Sequence, residues 1–66
     1  MAGNSDLEDY TLQLHWETDK ALLVSDDGDK EKAKWVPKSM IEFEKKKGGL
    51  VEVTMPLWLA IEKGFE

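Results

Sequence analysis

The chain has no cysteine, no arginine, one histidine and two prolines, and no apolar run near the ~20 residues of a membrane-spanning helix. Without cysteine there are no disulfides and no thiolate metal sites to make up for a thin core. That matters because the chain has 66 residues, and a chain of this size buries only about 60% of the surface its unfolded form exposes. The absence of cysteine also fits a reducing, cytoplasmic setting. All nine positive charges are lysines, which lack the planar fork that reads guanine or clamps phosphate in a bidentate way. They face 14 acidic residues, for a net charge of -5, and that balance opposes binding to nucleic acid or to an anionic membrane. No basic-then-apolar leader opens the sequence. The expectation is a soluble cytoplasmic protein with no membrane partner.

What the chain does have is bulk. Trp16, Trp35, Trp58, Tyr10, Phe43 and Phe65 are spread over nearly every predicted element, and each can bury on the order of 150–250 Å². They are therefore expected to build the core. Residues 1–8 are small and polar apart from Met1, Ala2 and Leu7 and read as a flexible tail, which leaves 9–66 as one domain. From Tyr10 the pattern alternates: Tyr10, Leu12, Leu14 and Trp16 point inward, and Thr11, Gln13, His15 and Glu17 point outward. Thr18–Lys20 turns the chain into Ala21-Leu22-Leu23-Val24, a continuous apolar run typical of a strand covered on both faces. Ser25–Asp29 is a turn by composition, because Asp accepts local hydrogen bonds and Gly28 permits positive φ. A third strand is predicted from Glu31 to Val36, with Ala33 and Trp35 on one face and Lys32 and Lys34 on the other.

Pro37 has no N–H and forces Val36 into extended geometry, so Pro37–Met40 reads as a corner on which the two halves of the sheet fold together. A fourth strand carries Ile41 and Phe43 inward and Glu42 and Glu44 outward. Lys45–Gly49 is a solvated hairpin tip, and Leu50–Met55 is a fifth strand with Val51, Val53 and Met55 inward. Pro56 suits a helix start and Gly64 a helix end, which predicts a short helix between them with Trp58, Ile61 and Phe65 along one face. The expected fold is mainly β (α+β): a small five-stranded antiparallel bent sheet, or a partly open SH3/OB-like barrel, with one short C-terminal helix.

Lys20-Ala21-Leu22-Leu23-Val24, Trp35-Val36-Pro37-Lys38-Ser39-Met40-Ile41 and Met55-Pro56-Leu57-Trp58-Leu59-Ala60, followed by Lys63-Gly64, resemble segments of short proteins of unknown function encoded by bacteriophages and other mobile elements. The resemblance covers most of the chain and brings no catalytic residue, substrate or activity with it. Trp35-Val36-Pro37 also resembles the Trp-aliphatic-Pro corner of SH3 domains.

Chemistry at single residues is sparse. His15 is tied to no nucleophile by any motif, so no catalytic residues are expected. Asp26, Asp27 and Asp29 lack the closing Glu of a calcium loop, and neither metal nor cofactor is expected. Ser39 reads as a cap at the corner. The lysines alternate with Glu31, Glu42, Glu44 and Glu52 and form a mixed-charge face. A core this small hardly encloses three indoles, and tryptophan is over-represented among binding hot spots. The candidate partner-binding residues are therefore Trp58, Leu57, Leu22 and Leu50 with the acidic Glu42, Glu44 and Glu52. The expected function is that of a non-enzymatic phage or mobile-element accessory protein that binds and inhibits a host protein, such as a defence system (anti-CRISPR-like), in the host cytoplasm. The alternatives are a small barrel that binds single-stranded nucleic acid in phage replication or recombination, and a structural homodimer.

Overall fold

Alternating apolar and polar residues draw Leu7–Glu17 into a long first strand, β1. In the computed structural model, which describes residues 7–66, it is the centre of a five-stranded sheet. The other strands are β2 (Ala21–Ser25), β3 (Lys34–Pro37), β4 (Glu42–Lys45) and β5 (Leu50–Pro56), and the helix α1 (Leu57–Lys63) closes the order. Every pairing is antiparallel, and the spatial order is β3-β2-β1-β5-β4. The architecture is thus the expected mainly β sheet with one C-terminal helix, and the sheet stays open: its edges β3 and β4 are not paired into a barrel.

Those edges are nevertheless consecutive in the chain, and that fact sets the shape of the sheet. In a flat sheet they would lie about 19 Å apart, four inter-strand spacings. The connection between them is Lys38–Ile41, of which Lys38–Met40 is a turn of 3-10 helix and rises only about 2 Å per residue. The sheet must curl until so short a link can reach. One carboxylate lies inside the curl. Lys38 Nζ donates to Glu17 Oε2 at 2.6 Å, and Lys45 from β4 is bridged to Glu17 Oε1. The Lys38 ammonium also lies 5.6 Å from the centroid of the Phe43 ring, and its backbone N–H donates to the Lys20 carbonyl at 2.7 Å. Hydrogen bonds from Lys38 and then Lys45 hold the Glu17 carboxyl below its ordinary range.

Glu17 reaches that position because β1 is irregular. Leu14 faces Val24 but Trp16 faces Leu23, so His15 is an extra residue relative to β2. Such a bulge shifts the alternation by one. Beyond it, Glu17 turns inward and Trp16 outward, the reverse of the strict period-two reading.

The core on the inner face is made of Leu12, Leu22, Val24, Val36, Val51, Val53, Met55, Leu59 and Ala60, with Tyr10, Leu14, Ile41 and Phe65 packed against it. No aromatic ring is fully buried among the described residues. The expectation of an indole-built core is corrected: aliphatic side chains fill it, and Val36 rather than Trp35 is the inward residue of β3. The third strand also starts later than expected. Asp29 Oδ1 accepts the Glu31 N–H at 2.9 Å and caps a 3-10 turn over Lys30–Lys32, a local bond that competes with extended structure. Ser39 makes no capping bond, and the corner turn follows Pro37 directly.

The helix buries Leu59 and Ala60, not Trp58 and Ile61. It ends as its sequence predicts. Gly64 takes φ 84°, its N–H donates to the Ile61 carbonyl at 3.1 Å, and the Phe65 N–H donates to the Ala60 carbonyl at 2.8 Å, the paired bonds of a Schellman stop. Phe65 then sits 6.5 Å from the Tyr10 ring, and Tyr10 Oη donates to Glu66 at 2.6 Å. That bond to a carboxylate pushes the phenol up to about 12. At the other end, β1 begins at Leu7, so Leu7 and Glu8 belong to the sheet and not to the expected tail of 1–8; residues 1–6 lie outside the described residues.

The Glu17 clasp has a pH signature. A carboxyl whose folded value is depressed stabilises the fold above its ordinary range, near 4.3 for Glu, and that stability is lost as pH falls through the depressed value. The urea midpoint of the parent should exceed that of Glu17→Gln at pH 7, and the gap should close on acidification below the ordinary range. A gap that is absent at pH 7, or unchanged in acid, would show that the clasp does not hold the curl.

Candidate interaction surface

Directly paired residues on neighbouring strands share a face, so the register sorts the side chains into an inner and an outer set. On the outer face Trp16, Leu23 and Trp35 stand opposite one another across β1, β2 and β3. Trp16 is 65% exposed and Trp35 44%, and Leu23 between them is half-buried. The next row along the face holds Gln13 between Ser25 and the exposed Leu50. Beyond it come Thr11, Glu52 and Glu44, and then Asp9, Thr54 and Glu42.

The charges on this face are segregated by sign. Every charged residue that the register places there, Asp9, Glu42, Glu44 and Glu52, is a carboxylate, whereas Lys34 and Lys45 fall on the inner side with Glu8 and Glu17. Glu44 and Glu52 are direct cross-strand partners, a pairing of like charges that destabilises a sheet. Lys46 moderates it from the hairpin tip, 3.5 Å from Glu44 and 3.8 Å from Glu52. Glu42, Phe43, Glu44, Glu52 and Thr54 line an open depression of about 180 Å³. A second one, of about 220 Å³, lies beside it against Leu7, Met40 and Ile41.

The structure divides the predicted binding residues. Glu42, Glu44, Glu52 and Leu50 share the outer face. Trp58 does not join them: it is 52% exposed beside Ile61 on α1, and α1 packs on the inner side through Leu59 and Ala60. Leu57 is half-buried at the start of that helix. Leu22 is fully buried and is corrected from a surface contact to a core residue. In an apolar run of four residues either phase is possible, and pairing with Val36 fixes Leu22 inward. The sequence reading missed Trp16, Leu23, Trp35 and Asp9 as members of one surface. Alternation gave no sign of the bulge that turns Trp16 out.

His15, Ser25 and Asp27 make structural contacts. His15 Nε2 lies 2.8 Å from Ser25 Oγ, a histidine–serine pair that resembles part of a hydrolytic site. Ser25 has no exposed surface, so its hydroxyl has no path to a substrate, and the contact satisfies a buried polar atom. Asp27 accepts the Asp29 N–H at 2.9 Å, which shapes the turn. Among the described residues no group of three or more acidic or histidine side chains is placed to hold a metal ion, and no helix is long and apolar enough to cross a membrane. No family model, curated protein or solved structure matches the chain.

Placement of the indoles can be separated from the core by equilibrium urea unfolding. Leu22→Ala should cost about 2–5 kcal/mol, as for a buried leucine, and Trp35→Ala should stay within about 1 kcal/mol, as for a surface change. Equal losses would put Trp35 in the core.

Proposed function

We propose that the chain is a non-enzymatic binding protein that acts by laying the outer face of its sheet on a host protein, as an inhibitory accessory of a phage or mobile element. The observation that carries this reading is the Trp16–Leu23–Trp35 row, two indoles held in water on a rigid sheet by a fold small enough to need every apolar side chain it can bury. Exposed tryptophans of this kind supply large contact area at little entropic cost, and such residues dominate binding energy at protein interfaces. Acidic side chains further along the same face favour charge-steered docking.

The nucleic-acid reading uses the same indoles as stacking platforms. It is disfavoured because the charged positions of that face are carboxylates, which repel phosphate. Fluorescence anisotropy with single-stranded oligonucleotides at low ionic strength should show no binding. Affinity capture from host lysate should retain a stoichiometric protein partner with the parent, and lose it with the Trp16→Ser, Trp35→Ser double variant. Salt-sensitive oligonucleotide binding would replace the inhibitor with the replication accessory, and capture indifferent to both tryptophans would move the contact off this face.

A further inference from the structure

We infer that the outer face receives an arginine-bearing segment of its protein partner, the chemistry that otherwise holds nucleic-acid phosphate. The inference rests on the binding reading above and adds the chemical class of the ligand. Two features of the face ask for a cation in different ways. The indoles of Trp16 and Trp35 present exposed rings, and among the described residues the cation over a ring is Lys38 on Phe43, elsewhere in the fold. The charged positions that the register puts on the same face are all acidic, including the like-charged pair Glu44 and Glu52, which shares the single Lys46 ammonium at 3.5 and 3.8 Å and which an incoming cation would relieve further.

Guanidinium meets both demands with one kind of group, repeated along a segment that crosses from the indole row to the acidic rows two rows away. The plane of one arginine stacks on an indole, and the fork of another donates two parallel hydrogen bonds to a carboxylate. A purely aliphatic partner would cover the indoles but strip water from the carboxylates without supplying any positive charge in return. A second copy of this chain fits worse: it has no arginine to offer, and its own outer face would bring carboxylates against carboxylates. The chain therefore presents, on one side of its sheet, acidic and aromatic groups to which it has no matching guanidinium of its own.

The test is anisotropy of fluorescein-labelled nona-arginine and nona-lysine with the full chain at low and moderate salt. The arginine peptide should bind about fivefold more tightly, the scale of cation–π stacking at exposed rings. Trp16→Leu with Trp35→Leu should erase that preference, and Trp58→Phe should leave it intact. Glu44→Gln with Glu52→Gln should weaken both peptides by about threefold or more at low salt, while the variant melts no lower than the parent. Equal affinity for the two peptides, or a preference that survives loss of both outer indoles, would reduce the contact to bulk charge and overturn the inference. If the peptide results fail while the serine double variant still loses its lysate partner, the arginine assignment falls and the binding reading stands. If capture is also indifferent to the two tryptophans, the binding reading falls with it.

Discussion

One extra residue in β1 governs much of this molecule. The bulge at His15 inverts the alternation of the strand just before its end, and two side chains exchange sides. Glu17 moves to the inner side, where Lys38 from the corner and Lys45 from β4 converge on its two oxygens. Trp16 moves to the outer side, where it extends the row begun by Leu23 and Trp35. A regular strand would put a carboxylate on the outer face and an indole between the two lysines, so the clasp and the aromatic surface would be lost together. Bulges also increase local twist, which suits a sheet whose two edges must approach across one short turn.

The consequence for stability is a core whose fully buried side chains, among the described residues, include no aromatic ring, with Tyr10 and Phe65 packed at its edge. Nine buried side chains from four strands and the helix close the inner face, and α1, too short to persist by itself, is held by Leu59, Ala60 and the Schellman stop that brings Phe65 onto Tyr10. Leaving Trp16, Trp35 and Trp58 in water forgoes the largest apolar areas in the chain. A domain of this size has little stability to spare, and the combination of exposed indoles with a like-charged cross-strand pair gives the outer face its interest as a contact surface.

Much of the fold was legible in the residues. Proline placed the corner at 37, the paired glycines the hairpin tip, and Pro56 and Gly64 the two ends of the helix, because each acts through its own backbone geometry. Val51, Val53 and Met55 followed their alternation faithfully into the core. The site was less legible. A bulge leaves the hydrophobic pattern of Tyr10 to Trp16 unbroken, so nothing in the spacing reveals that Trp16 faces out. Trp35 and Val36 are adjacent and both apolar, and only the pairing of Val36 with Leu22 decides which one is covered. On α1 the choice of buried face belongs to the sheet beneath it: two turns of almost wholly apolar helix contain no polar stripe to orient them. The outward placement of Glu42, Glu44 and Glu52 was legible because β4 and β5 are regular, whereas their sharing a face with the two indoles depends on strands that are far apart in sequence.

The orientation of Trp16 is the point at which sheet shape and binding surface meet. Collisional quenching by acrylamide in a variant whose only tryptophan is Trp16, made by Trp35→Phe and Trp58→Phe, reads it directly. The folded variant should show emission and quenching close to those of the same chain in urea, as an indole in water does. Blue-shifted emission that acrylamide reaches poorly would place Trp16 inside the curl, and would contradict the bulge, the Glu17 clasp and the aromatic face at once.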